Sequence, residues 1–267
     1  MIDNWLRTEI LTRLIFFFGV FTLIAGWEIY SPRRRPTFTR RIRWPANLSL
    51  VFMNQGLLRL LLPFTAIAAA EKAQSAGWGL FHSVDIPAEA ELILSILVLD
   101  LVIYLQHVVF HKVPLLWRLH RMHHADLDYD VTTGSRFHPI EILISMLIKI
   151  GAVLLLGASP LSVLCFEILL NATAMFNHGN ISMAPGLDKL LRLFVVTPDM
   201  HRIHHSIVVK ETNSNFGFNW PWWDRLFGTY LAAPSETQET LTIGLPIFRD
   251  PKYLSLGRLL KIPFEKI

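Results

Sequence analysis

Long apolar runs set the first limit on what this 267-residue chain can become. A helix that crosses a bilayer needs about 20 mostly apolar residues, and four stretches are long enough to be considered. Residues 11–30, LTRLIFFFGVFTLIAGWEIY, end with Trp27 and Tyr30, aromatic residues suited to a membrane–water interface. The flanks lack the charged start and small-residue cleavage pattern of a signal peptide, so the run reads as an anchor. Residues 47–70 contain Asn54, Gln55, Arg59 and Pro63, which must face other helices or reach an interface. Residues 90–110 form a third run. Residues 139–177 can make two shorter passes around GASP (157–160), where Ser159 as N-cap and Pro160 at the first helical position start a new helix. That stretch is expected to be a hairpin.

Composition agrees with a membrane setting: 17% of residues are charged and 52% hydrophobic, against about a quarter charged in soluble domains. The single cysteine, Cys165, excludes an internal disulfide and sits in an apolar run as packing. A net charge of +4 does not imply nucleic acid, because the basic residues form no extended face. Arg33, Arg34, Arg35, Arg40, Arg41 and Arg43 instead crowd behind the first apolar run, a topology signal. With residues 31–45 cytoplasmic, the loop 71–89 lies outside with Lys72 as its one Lys or Arg, and residues 111–138 and 178–267 are cytoplasmic.

Histidines are concentrated on that side. LHRMHH (119–124) and MHRIHH (200–205) repeat one H-x-x-H-H spacing, and HVVFH ends the third run. At about 100° per residue, the i and i+4 members of a helical triplet lie close together while the i+3 member turns to the other side. Each triplet can thus give two ligands to one ion and one to a neighbour. His107, His111, His120, His124 and His204 would serve one metal; His123, His201 and His205 would serve a second, with His178 of FNHGN as its fourth donor. Imidazole suits zinc, copper, iron and nickel alike. With no available cysteine and no H-E-x-x-H, nine histidines beside a bilayer fit redox iron and dioxygen better than zinc.

The order HVVFH, HRMHH, NHG, HRIHH resembles the fatty acid hydroxylase/sterol desaturase superfamily, membrane di-iron histidine-motif oxygenases. RFHPIE (136–141) and NFGFNWPWWDRLFGTY (215–230) strengthen the resemblance, which spans roughly residues 90–230. It implies an all-α integral membrane protein with about four transmembrane helices, two plus a hairpin, capped by a cytoplasmic histidine-rich helical domain. It also implies a centre of two iron ions, with dioxygen as co-substrate. Several members have a histidine four residues before the NH motif, where this chain has Ala174. Water, Asn177 or His138 are the candidate replacements.

Supporting residues carry paired readings. Asp100, two turns before His107, either accepts a hydrogen bond from a ligand histidine or pairs with Arg59. His138 is a possible ligand or supports one, and Glu141 orients it or caps a helix start. Asp199 holds a ligand imidazole or begins a helix, and Asp224 anchors structure near a ligand histidine or Arg225. Asp126, Asp128 and Asp130 read as a solvated loop; His82 has no assigned role. Phe176, Trp220, Trp222 and Trp223 line an apolar slot or lie at the interface.

The expected organisation is anchor helices with a basic loop over 1–89, a catalytic domain over 90–235 and an amphipathic tail over 236–267, interfacial or packed on the domain. The expected function is a membrane-bound oxygenase that hydroxylates or desaturates a lipid C–H bond. The chain carries no fused cytochrome b5 segment, ferredoxin cysteine set or dinucleotide-binding glycine motif. A separate ferredoxin, cytochrome b5 or reductase is therefore expected, docking on the basic face. The rival readings are a zinc-dependent membrane hydrolase, with Glu141 or Asp199 as base, and a metal transporter, which the one-sided histidines disfavour. The spacing does not select among fatty acyl, aminolipid, sterol, hopanoid and carotenoid substrates.

Overall fold

The computed structural model describes residues 2–266, with side chains from Thr8 onward; Met1 and Ile267, at the outer ends of the expected anchor and tail, lie outside the described residues. The helices that position the site are α1 (Ile2–Tyr30), α2 (Arg40–Leu61), α3 (Ala66–Ala76), α4 (Ala88–Lys112), α5 (Pro114–His124), α6 (Pro139–Leu156), α7 (Pro160–Asn177), α8 (Pro185–Leu191) and α9 (Pro198–His204). Among the described residues the chain is all-α, with two isolated β-bridges. Five segments are long and apolar enough to cross a membrane: Thr8–Tyr30, Arg40–His82, Ala88–Lys112, Pro139–Leu156 and Pro160–Asn177. Three spans thus precede the hairpin, one more than the resemblance implies.

The second span is not one helix. Pro63 has no N–H to donate and disfavours helical backbone in the residue before it, so α2 stops at Leu61 with Leu62 extended. Thr65 caps α3, its Oγ1 accepting from Ala68 N at 3.2 Å. The alanines of α3 (Ala66, Ala69, Ala70, Ala73) are fully buried, small side chains that let it pack closely on α6 and α7. The hairpin turns at GASP: Gly157 ends α6 at φ 69°, and Ser159 Oγ accepts from Ser162 N at 3.2 Å. Glu167 of α7 is joined by Arg13 of α1 at 2.5 Å and Lys149 of α6 at 2.7 Å, which pairs its charge inside the bundle.

Both faces of the bundle are defined by contacts. On one, the α6–α7 turn meets the first turn of α4: Ser159 N donates to Glu91 Oε1 at 2.9 Å. On the other lie residues 31–43, 113–138 and everything after 178, tied together by Arg33 N donating to Asn180 O at 3.0 Å. Here the acidic loop corrects the solvated reading. Asp126, Asp128 and Asp130 are at most 5% exposed. Arg43, itself 1% exposed, donates to Asp126 at 2.6 and 2.9 Å and pairs with Asp130. Burial pushes the Asp126 carboxyl up, but Arg43 and Arg136 outweigh it and hold it well below the usual range. Asp128 accepts the backbone N–H groups of Thr37 and Phe38 at 3.0 and 2.7 Å. An alternating acidic pattern marks solvent only when no cation is brought to it, and α2 brings one.

The same contacts revise the basic face. Arg33 binds Asp199 at 3.0 Å and also Glu239, and Arg34 donates to the Leu241 carbonyl at 2.5 Å. The arginines that remain outward are Arg35 and Arg41. The tail packs on the histidine-bearing α5: Arg118 donates to Pro263 O at 2.7 Å and Arg121 to Glu265 O at 2.7 Å. Replacing Arg43 by Met is expected to destabilise the protein by about 3–5 kcal/mol, since it leaves the buried Asp126 and Asp130 carboxylates with only Arg136, 3.6 Å from Asp126. Thermal unfolding in detergent measures this.

Candidate metal centre

α4 ends in His107 and His111, and Pro114 at the first position of α5 turns the chain so that His120, His123 and His124 follow. α7 delivers His178 just past its last residue, and α9, capped by Thr197 Oγ1 accepting from Met200 N, delivers His201, His204 and His205. These nine side chains form two groups. His107, His111, His120, His124 and His204 make one, and His123, His178, His201 and His205 the other; within each, one donor atom per residue lies within 4.8 Å of all the rest. The groups adjoin, with the His124 and His205 rings stacked at 4.6 Å. His111 is partly exposed, and the other eight are at most 3% exposed.

The tautomers follow from what each ring touches. A carbonyl only accepts, so the Nδ1–H of His107 donates to Phe216 O at 2.7 Å and that of His204 to Ser214 O at 2.7 Å. With Glu141 ionised, the Nδ1–H of His120 donates to its Oε1 at 2.6 Å. A neutral imidazole has one ring proton, so all three Nε2 atoms are bare. Yet His107 Nε2 lies 3.1 Å from His120 Nε2 and 3.0 Å from His204 Nε2. Three lone pairs facing one another repel unless a cation stands between them. Nitrogens roughly 2.1 Å from one ion are roughly 3.0–3.4 Å apart at right to tetrahedral angles, which is the spacing seen here.

Burial favours neutral rings. It lowers His120 to about 3, and it lowers His178 to about 4 against the opposing bond to Ala174 O. Burial and neighbouring rings together carry His123, His124, His201, His204 and His205 well below the ordinary value. Both ring nitrogens of His124, His201 and His205 are buried without a hydrogen-bond partner. A buried unpaired polar atom costs stability, and these six nitrogens fit a metal's donor set.

The supporting residues divide. Glu141 orients His120, not His138. His138 lies outside both groups: its Nδ1 accepts from Ile140 N at 3.2 Å as the cap of α6, and its ring faces Phe264. Asp100 meets neither a histidine nor Arg59; it accepts from Trp223 Nε1 at 2.8 Å. Asp199 pairs with Arg33 and Arg202, and Asn177 Nδ2 donates to Phe218 O at 3.1 Å. The position of Ala174 is used through its backbone, whose carbonyl accepts from His178 Nδ1 at 2.8 Å. Gly134 permits that approach, because a Cβ there would lie 2.8 Å from Ala174 O. Of the aromatics weighed for a slot, Trp222 and Trp223 donate to Leu193 O and Asp100, Trp220 stacks on Trp222, and Phe176 packs with Ile24 and Met175. The rings that do cover the histidines are others: Phe137 on His123 at 4.5 Å, Phe216 and Phe218 on His107, and Trp117 on His111.

The segment after α9 explains NFG and WDRLFGTY. Asn215 takes φ 52°, which asparagine tolerates better than most side chains, and its side chain binds Met200 O at 3.0 Å and Leu231 N and O at 2.8 and 2.9 Å. This turn aims Ser214 O at His204 and Phe216 O at His107. Asp224 secures it by accepting from Phe216 N and Gly217 N at 2.8 Å and from Thr229 Oγ1 at 2.7 Å. Asp224 therefore acts on a histidine through one carbonyl.

The fatty acid hydroxylase family matches residues 92–229, just over half of the chain. The chain belongs to this family. It is 32% identical over 158 residues to the ornithine lipid hydroxylase OlsE of Rhizobium tropici, covering 59% of this chain and 46% of that protein. It is 26% identical over 212 residues to the alkylglycerol monooxygenase of Xenopus tropicalis, covering 75% and 46%. To the cholesterol 25-hydroxylase of Rattus norvegicus it is 24% identical over 147 residues, covering 54% and 48%. The chain spans about half the length of these curated relatives. No solved structure matches it significantly.

Substituting Asn215 by Ala is expected to cost about 2–4 kcal/mol, from a strained φ and lost buried hydrogen bonds. Chemical denaturation in detergent reads the loss, and histidine NMR reads the freed His107 and His204 rings.

Proposed function

We propose that this chain is a membrane di-iron oxygenase that hydroxylates an unactivated C–H bond of a bilayer lipid. The observation that carries the reading is the convergence of three bare, buried Nε2 atoms on one point, beside a second group of four imidazoles. His107, His111, His120, His124 and His204 would hold one iron, and His123, His178, His201 and His205 the other. Five imidazole donors in one group exceed the four of a closed zinc site, which supports iron. The relatives' names, hydroxylases and monooxygenases of lipids, support hydroxylation over desaturation.

The metal pair, when bound, supplies oxidation by dioxygen: one oxygen atom enters the C–H bond, and the other leaves as water with two protons and two electrons. The chain's own part is positioning and exclusion. Ser214, Phe216 and Ala174 carbonyls and the Glu141 carboxylate hold four Nδ1 protons, so that four Nε2 lone pairs face inward. Phe137, Phe216, Phe218 and Trp117 keep water from the rings. The electrons would come from a separate ferredoxin, cytochrome b5 or reductase. The arginine distribution supports a cytoplasmic site, because the Arg33–Arg43 segment lies on the histidine face. The zinc hydrolase is not favoured: neither proposed base is free, with Glu141 bound to His120 and Asp199 to two arginines.

Metal analysis of purified protein tests the centre, with about two irons per chain expected and lipid oxidation dependent on dioxygen; zinc-dependent ester or amide cleavage without oxygen would sink it. Replacing His123 or His204 alone should abolish turnover while leaving membrane insertion intact. Glu141→Gln should weaken iron retention about 10–100-fold by loosening His120.

Acid should also strip stability. The unfolded histidines take up protons below the ordinary value of 6.5, while His178 resists until about 4, so its contribution is present above pH 6.5 and lost as pH falls toward 4. The urea midpoint of metal-free protein should fall across that window.

A further inference from the structure

A cavity of about 140 Å³ lies in the seam between α2 and α6. Leu57, Leu58 and Leu61 line it from α2, and Pro139, Ile140 and Leu143 from α6. Its polar end is Asn54, 6% exposed, whose Nδ2 donates to Phe137 O at 3.0 Å. That carbonyl fixes the amide orientation, so the other atom is an acceptor: Asn54 Oδ1 is buried without a partner. Phe137 then lies with its ring on His123 and near His120, and Glu141, one residue past Ile140, binds His120. Phe137 therefore links the Asn54 end of the cavity to the histidines, its carbonyl on one and its ring on the other.

The other end points into the bilayer. α6 runs from the histidine face toward Gly157 on the opposite face, so Leu143 lies deeper than Pro139. Leu61 is seven residues beyond Asn54, about 10 Å along α2, and it is 56% exposed where lipid surrounds the bundle.

We propose that this seam holds one acyl or alkyl chain of a bilayer lipid, its methyl end toward Leu61 and Leu143 and its headgroup-proximal carbons at the histidines. The inference rests on the oxygenase reading and deepens it. Beyond Asn54 the lining is apolar and runs along the seam between two helices, which suits the hydrocarbon part of a lipid. Asn54 Oδ1 would accept from an amide N–H or hydroxyl near the lipid's polar end. A lipid lying in its own leaflet presents its headgroup at the surface and its chain at depth, which matches the order of polar and apolar residues along the seam.

The test uses the full chain in vesicles of phosphatidylethanolamine and phosphatidylglycerol, with a phospholipid bearing a mid-chain diazirine. After irradiation, mass spectrometry should find label concentrated on Leu57, Leu58 and Leu143. The double variant Leu57→Trp, Leu143→Trp should cut that seam labelling at least fivefold, with label at the outward Phe52 and Leu155 and the metal content unchanged. Even labelling of seam and outer faces, or seam labelling indifferent to the tryptophans, overturns the proposal. Label in the seam without oxygenase activity sinks the functional reading alone; lipid oxidation with even labelling sinks the seam alone. Tandem mass spectrometry of the product should place the new hydroxyl in the headgroup-proximal half of the lipid, and a hydroxyl near the methyl end overturns the orientation.

Discussion

Everything near the histidines depends on where a few ring protons are parked. Backbone carbonyls at Ser214, Phe216 and Ala174, and the Glu141 carboxylate, take the Nδ1 protons of His204, His107, His178 and His120. The opposite nitrogens are then left as lone pairs in buried space, those of His120 and His204 each about 3 Å from that of His107. Without a cation this packing is repulsive, so the same contacts that orient the rings also make the fold depend on what they enclose. Metal binding and folding free energy become coupled in such a site.

Holding those acceptors still takes a frame much larger than the site. Asn215 and Asp224 fix the turn that carries two of the carbonyls, and Asp100 fixes the next stretch through Trp223. A second frame joins the membrane helices to the loop after the first triplet. Arg43 reaches from α2 to Asp126 and Asp130, while Glu28 of α1 accepts from Val131 N and Asn180 N at 2.7 and 2.8 Å. Buried charges of this kind add little net stability when paired, but are costly to leave alone. Their effect is to fix one register between membrane bundle and histidine face.

Much of this was legible in the chain. The apolar runs, the Ser159–Pro160 helix start and the spacing of the triplets are local properties, carried within one or two helical turns. Pro63 is visible too, but that the chain continues past it as a second helix packed on α6 and α7 depends on tertiary contacts. The partners of Asp100, Asp126, Asp199 and Glu141 are not legible in the chain for one reason: each has a partner on a different element, with separations from 21 residues for Glu141–His120 to 166 for Asp199–Arg33. The alternation of Asp126, Asp128 and Asp130 resembles a solvated loop until an arginine from a distant helix neutralises it. NFG and WDRLFGTY could be noticed as motifs, but their work passes through backbone carbonyls, which carry no side-chain signature.

The sequence by itself determined the class: membrane-spanning runs, a face rich in histidine, and triplets whose i, i+3, i+4 geometry turns one ring away from the other two. Helical periodicity suffices for that, because it acts within a single element. Only the tertiary structure decided which lone pairs are bare, which carboxylates are satisfied, and that Phe137 links the seam between α2 and α6 to the histidines. Those depend on atoms from separate helices arriving within about 3 Å of one another, a distance that hydrogen bonding resolves and sequence spacing does not.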